Sequence, residues 1–282
     1  MEPLSLIVIS AAVGGAAGKF VEKAWNVGEK WLAYYFKDHY PKAQEVAKRN
    51  SLEFLNELAQ RVHKLEEETK DSRHIKQQIQ SAFEDPDFSA LLKDALIASS
   101  RTDSEDKQKI LARIVAERLL AQSEGLVALT STLACEAVKH LTPKQIRYLG
   151  VATFVYGVRP HTFPPPIPDE EIGEWYVKWL TQALSSLLPI EPLTDLDFTH
   201  LESVSCIQYQ PFLGRDMKQV LSPRGETKYD WPFDDFVGNN TVGKQLNELW
   251  GGMQRITLTT TGQLIGIYVT DEINRTRTKI SW

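Results

Sequence analysis

Asp87, Glu105, Asp106 and Lys107 are the side chains whose types and order come nearest to a reaction. Pro86-Asp87 followed at a distance by Glu105-Asp106-Lys107 is the pattern of a metal-dependent nuclease, in which carboxylates hold a divalent cation and a lysine assists phosphodiester hydrolysis. That chemistry needs the three groups to converge from the ends of adjacent strands. Here both pieces fall where helices begin. Asp85-Pro86 reads as an N-cap with proline at the first helical position, and Thr102 with Glu105 reads as a capping box. Acidic residues are expected at such positions because they satisfy free N–H groups and the positive end of the helix dipole. Capping is therefore the reading adopted, and a nuclease is the remote alternative.

The remaining chemistry-bearing residues form no constellation. His39, His63, His74, His140, His161 and His200 show neither the two-turn spacing of a zinc helix nor a Cys-x-x-Cys partner, so they are expected to be surface or packing residues. There is no Gly-x-Ser-x-Gly elbow and no phosphate-binding Gly-x-x-x-x-Gly-Lys. Gly14, Gly15 and Gly18 lie in an apolar run with no strand before it. No catalytic residue, cofactor-binding residue or metal ligand is assigned, no cofactor is expected, and the role read here is binding and assembly.

Composition agrees with a globular intracellular protein. The 282 residues are 42% hydrophobic and 24% charged, enough for one large or two ordinary cores. Cys135 and Cys206 are far apart and each sits at an apolar-periodic position, where a buried thiol is common in a reducing compartment. Residues 1–168 carry 22 basic and 21 acidic side chains, whereas residues 169–282 carry 10 basic and 16 acidic. Neither part matches the phosphate backbone of a nucleic acid, which is not an expected partner.

The elements start with a sixteen-residue uncharged run, Pro3 to Gly18. It lacks the preceding basic residues of a secretory signal and falls short of the about 20 apolar residues of a membrane span. A helix covered by protein, within the chain or between copies, is the first expectation, contact with a membrane the second and a cleaved targeting segment the third. Beyond it Phe20, Ala24, Val27, Trp31 and Tyr34 recur at steps of four and three, and Trp25, Trp31, Tyr34, Tyr35, Phe36 and Tyr40 lie among lysines. Ile7, Val13, Gly14, Gly15, Gly18, Trp25 and Trp31 are the candidate oligomer or membrane contacts.

Leu55, Leu58, Val62 and Leu65 continue through Ile75, Ile79 and Phe83 as a helical hairpin. Capped amphipathic helices follow: one through Phe88 and Leu92, one through Ile110 and Leu119, one through Leu126, Leu129, Leu133 and Val138, and one opened by Thr142-Pro143-Lys144-Gln145. Five prolines between Val158 and Asp169 mark a boundary. The expected plan is mainly α: an N-terminal segment at 1–40, a helical bundle at 41–158, a linker at 159–168 and a smaller α+β winged-helix-like domain at 169–282. Within that last part, Glu170 to Leu188, Asp197 to Ile207 and Thr241 to Gly251 are read as helices and 211–240 as a long loop. A strand from Met253 and a second at Gly262-Gln-Leu-Ile-Gly-Ile-Tyr-Val269 are read as a hairpin.

Asp85-Pro86-Asp87-Phe88, Ala95-Leu96-Ile97-Ala98-Ser99, Asp106-Lys107, the run from Ile110 to Leu119 and His140-Leu141-Thr142-Pro143 together make residues 83–157 resemble the abortive-infection alpha family of bacterial phage-defence proteins. The order of an apolar N-terminus, a helical middle and an end at Leu258-Thr-Thr-Thr-Gly262 is similar too. The resemblance implies a role in abortive infection, in which an infected cell stops growing or dies before phage multiply. The absence of catalytic motifs and the apolar, glycine-rich N-terminus fit a non-enzymatic protein, cytoplasmic or peripheral to the inner membrane, that assembles into a homo-oligomer and perturbs a membrane. A regulatory or sensor subunit, binding another defence protein or a nucleic acid through the winged-helix-like domain, is the alternative.

Overall fold

The computed structural model describes residues 15–68, 72–121, 124–158, 169–212, 214–222 and 231–278, which form thirteen helices and one two-stranded sheet. The chain is mainly helical, as the periodicity indicates. It divides into two compact units, one running to His140 and the other from Leu141.

The first unit holds α1 (Gly15–Tyr35), α2 (Pro41–Glu68), α3 (Ser72–Glu84), α4 (Pro86–Ser100), α5 (Glu105–Arg118) and α6 (Leu126–His140). Helix α2 packs against α1, α4 and α5 and buries Leu55, Leu58, Val62 and Leu65, the stripe read from the sequence. Phe20, Phe83 and Phe88 bring α1, α3 and α4 together with ring centroids 5.2 to 6.3 Å apart. The start of α4 follows local rules: Pro86 opens the helix and Asp85 Oδ1 accepts the Asp87 N–H at 2.9 Å. Asp85 Oδ2 accepts from the buried Arg118 guanidinium at 2.9 Å, so one carboxylate both caps α4 and ties it to the last residue of α5. Helix α5 is capped by Ser104 and not by Thr102. The Ser104 hydroxyl accepts the Lys107 N–H, and the Thr102 hydroxyl instead accepts the Ser104 N–H.

Helix α6 corrects an expectation. Its packed face carries Ala128, Thr130, Ser131, Ala134, Cys135, Ala137 and Val138, while Leu126, Leu129 and Leu133, which the sequence places in the same apolar run, face outward. The helix lies against both α4 and α5, and small side chains permit that double approach.

The second unit holds α7 (Pro143–Gly157), α8 (Asp169–Ser185), α9 (Asp195–Ser203), β1 (Ile207–Tyr209), α10 (Met217–Leu221), α11 (Phe233–Asn239), α12 (Thr241–Met253), β2 (Ile256–Leu258) and α13 (Thr260–Asn274). Its main contact is α7 against α13. A Cβ placed on Gly266 would lie 1.9 Å from Thr153 Oγ1 and 2.5 Å from the Leu149 carbonyl oxygen, and one on Gly150 would lie 2.6 Å from Val269 Cγ1. The Thr270 hydroxyl bonds to the Gly150 carbonyl across the same contact at 3.3 Å. Backbone meets backbone here because both crossing points lack a side chain. Helix α7 therefore packs with the C-terminal elements, and the units part ahead of it, whereas the sequence places the boundary after it. Prolines interrupt a helix without deciding which unit the preceding helix joins. The expected linker at 159–168 lies outside the described residues.

Three further expectations change. Residues 262–269 are not a strand but the body of α13, capped by the Thr259 hydroxyl on the Gly262 N–H at 3.1 Å. β2 pairs instead with β1, antiparallel, with Ile207 opposite Leu258 and Tyr209 opposite Ile256. The helix expected at 197–207 ends at Ser203 and gives way to β1, and the 211–240 loop contains α10 and α11.

Candidate interaction surface

Helix α1 starts at Gly15, whose φ of +58° favours glycine and where a Cβ would lie 2.8 Å from a Glu66 carboxylate oxygen. The Ala16 N–H donates to both oxygens of that carboxylate, at 3.3 and 3.1 Å. A negative group from the end of α2 thus satisfies the exposed donors and dipole at the start of α1. Gly18 is buried beside Ala16 and Ala17. Trp25 is buried too, with the Lys48 ammonium 5.8 Å from its ring centroid, and Trp31 is half-buried. The other candidate contacts, Ile7, Val13 and Gly14, lie outside the described residues.

The stripe read from the sequence splits in two. Phe20 and Ala24 face the core, where Val21, Trp25, Gly28 and Leu32 continue the buried row, and a Cβ on Gly28 would lie 2.4 Å from Leu96 Cδ2. Val27, Trp31 and Tyr34 form a second, outward row at steps of four and three. Tyr34 is 75% exposed with the Lys37 ammonium 5.0 Å from its ring centroid, and Tyr40, just before α2, is 86% exposed. Exposed Lys19, Lys23 and Lys30 lie along the same helix. Aromatic bodies with polar tips among ammonium groups suit a boundary between water and an apolar or anionic surface. No helix among the described residues is long and apolar enough to cross a membrane.

The nuclease-like residues do not converge. Asp87 accepts from Arg118 at 3.3 Å at one end of α5, whereas Glu105 at the other end pairs with Lys109 at 2.5 Å, and the length of that helix separates them by about 20 Å. The Lys107 ammonium donates to the Lys139 carbonyl at 3.4 Å, and burial and then the nearby Arg101 charge hold its pKa below the usual lysine range. A groove of about 350 Å³ lined by Glu53, Glu57, Asp103 and Glu105 gathers acidic groups, but Glu53 pairs with Arg49 and Glu57 with Arg61. Among the described residues no three His, Cys, Asp or Glu are placed to hold a metal ion. His39 packs on Tyr35 and Phe36, His63 pairs with Glu67 and His140 with Glu136, and both cysteines are buried and free.

The second unit contains a polar knot. The starts of α7 and α9 are both capping boxes, Thr142 with Gln145 and Thr194 with Asp197. Gln145 Nε2 donates to Asp197 Oδ1 at 3.1 Å, Lys144 donates to Oδ2 at 2.8 Å, and His200 Nδ1 lies 3.1 Å from Gln145 Oε1. Burial pushes the Asp197 carboxyl up. The Lys144 ammonium with the Thr194 N–H and hydroxyl outweighs that and leaves it below its ordinary value. Every group has a partner in the knot, which reads as structural.

The outward leucines of α6 are the surface that sequence reasoning missed. Their three-four spacing was visible, but spacing locates a stripe without saying which way it faces.

These features define a two-unit, mainly helical protein with an aromatic outward row on α1. A protein-family model whose description reads ":-like" matches residues 18–228, and the chain belongs to that family. The match runs from α1 through α10, so it takes in elements of both units. No curated protein and no solved structure matches the chain.

Proposed function

We propose that this chain is a bacterial anti-phage protein of the abortive-infection kind, acting without catalysis by homo-oligomerising through its N-terminal helix and perturbing a membrane. The observation that carries the proposal is the outward row of Val27, Trp31 and Tyr34, which follows the uncharged N-terminal run and in which Val27 and Tyr34 are exposed and Trp31 half-buried while the inner row of the same helix is covered. The likeness of residues 83–157 to the abortive-infection alpha family supplies the biological setting. The protein is cytoplasmic in this reading and reaches the inner membrane as a peripheral assembly.

The test is phage challenge of cells expressing the full chain, with light scattering and vesicle leakage on purified protein. Placing Asp at Ile7 and Val13, or changing Trp31→Ser with Tyr34→Asp, is expected to abolish protection and leakage while far-ultraviolet circular dichroism stays unchanged. Full protection by either variant refutes the proposal.

A second reading is a regulatory or sensor subunit. It is favoured by Phe212, fully exposed after β1, and by α12 leading into β2 as a helix leads into a wing. With 10 basic against 16 acidic side chains in residues 169–282, its partner would be a protein of the same defence system and not a nucleic acid. Protection that survives the N-terminal changes but fails with Phe212→Ser would select this reading.

A further inference from the structure

Lys19, Lys23 and Lys30 of α1, and Lys37 in the turn that follows it, succeed one another at steps of four, seven and seven residues. At 3.6 residues per turn those steps hold all four within a narrow arc, along a line about 27 Å long. All four are exposed. The acidic residues of α1, Glu22 and Glu29, fall at the far edge of the exposed face, and Glu29 is paired with Lys48 of α2 at 3.6 Å. Nothing in the row cancels its charge. Lys23 donates to the Gln80 side-chain oxygen at 2.9 Å and Lys37 lies over the Tyr34 ring, both neutral partners. Lys19 and Lys30 meet no acidic side chain among the described residues. Lysines on other helices are matched, Lys109 by Glu105, Lys139 by Glu136 and Lys144 by Asp197.

We propose that this lysine line binds the headgroups of anionic phospholipids, so that α1 lies along a negatively charged bilayer and not along a neutral one. The proposal rests on the membrane contact inferred above for α1 and specifies which membrane. A straight row of ammonium groups matches a flat sheet of phosphate and carboxylate groups, whereas a small anion is held by donors that converge. One flank of the line carries Val27, Trp31 and Tyr34, apolar and ring surface suited to headgroup depth. The other flank carries Glu22 and Glu29, beyond the contact. Each lysine near an anionic surface tightens binding about fivefold, so the four together give at most about 600-fold.

Co-sedimentation of the full chain with vesicles of phosphatidylcholine alone, or with about a third phosphatidylserine, reads the preference. Binding to the anionic vesicles is expected to be roughly 30- to 600-fold tighter at about 0.1 M salt and to weaken steeply by about 0.5 M, where the charges are screened. Lys19→Gln with Lys30→Gln is expected to lower anionic binding about 25-fold and to leave neutral binding unchanged. Lys178→Gln with Lys244→Gln makes the same change in net charge at exposed sites of the second unit and is expected to cost less than about threefold. Circular dichroism checks that both pairs fold. Equal affinity for the two vesicles overturns the proposal and, with leakage intact, leaves the membrane contact of α1 standing. Equal losses from the two lysine pairs overturn it too, because net charge and not the line then governs. So does salt-sensitive binding of single-stranded RNA with the anionic vesicles left unbound, which makes the row a nucleic-acid contact. Absence of binding to either vesicle refutes the lysine line and the membrane contact together. Lysine-dependent anionic binding without leakage upholds the line and refutes membrane perturbation alone.

Discussion

Gly266→Ala and Gly251→Ala make the same chemical change in two helices and are expected to move stability in opposite directions. At Gly266 the new Cβ would stand 2.5 Å from the Leu149 carbonyl oxygen and 1.9 Å from Thr153 Oγ1. The threonine can rotate, but the carbonyl belongs to the backbone of α7, so the helices must part by nearly 1 Å to restore ordinary contact. Overpacking of this kind costs about 1–3 kcal/mol, toward the upper end where backbone must move, and the Thr270 hydroxyl keeps its 2.8 Å bond to the Gly266 carbonyl when the helices part. Against this stands a gain of about 1 kcal/mol from replacing glycine by alanine within a helix. The net expectation is a loss of about 2 kcal/mol. At Gly251, in α12, nothing lies within 4 Å of the added Cβ, so only the helix-propensity gain of up to about 1 kcal/mol remains. Urea unfolding followed by circular dichroism and tryptophan fluorescence measures both, with the midpoint read at constant slope. Gly266→Ala as stable as the unsubstituted chain, or a loss at Gly251 as large as at Gly266, would refute the close approach of α7 and α13.

Cys135 and Cys206 lie in apolar surroundings, and burial pushes each thiol up to about 12. Neither is expected to react with a thiol reagent at pH 8 in the folded chain, and both are expected to react in urea; a fast-reacting thiol in the native protein contradicts the burial. The Asp197 carboxyl sits below its ordinary value, so its contribution to stability is fully present above the usual carboxylate range and is lost as pH falls through the lowered value. Asp197→Asn is accordingly expected to destabilise the chain at neutral pH and to flatten the acid limb of a stability-versus-pH curve, which urea midpoints between pH 3 and 7, roughly the window of carboxylate titration, would register.

What could be read from the sequence was what its local chemistry determines. Asp85-Pro86 and Thr142-Pro143 with Gln145 begin helices where expected, because a cap acts within four residues. The Leu55 to Leu65 stripe is buried because α2 has one apolar face. The failures occur where contact distant in sequence decides. Ile265, Ile267, Tyr268 and Val269 favour a strand, yet they form α13 because Gly262 and Gly266 let that helix lie against β1's approach and α7. On α6 both faces hold apolar residues, and only the packing of α4 and α5 shows that the small ones turn inward. Trp25 and Trp31, read together as contact residues, are separated by the helix's rotation into a buried ring and a half-buried one. Alanine, glycine and threonine at crossing points carry little hydrophobic signal, so the pairing of α7 with the C-terminal elements left almost no trace in composition.

Asp85 answers to two constraints at once, since one oxygen caps α4 and the other holds Arg118. Ser, Thr or Asn would serve the first and fail the second, leaving the buried guanidinium its longer, more exposed pairing with Asp87 at 3.3 Å in place of the 2.9 Å one. Drift at position 85 is thus costly while Arg118 stands, and least so once position 118 holds an uncharged residue that fills the same space. In related chains the two positions should be inherited as a couple, and the order of their replacement along any lineage should run from 118 to 85.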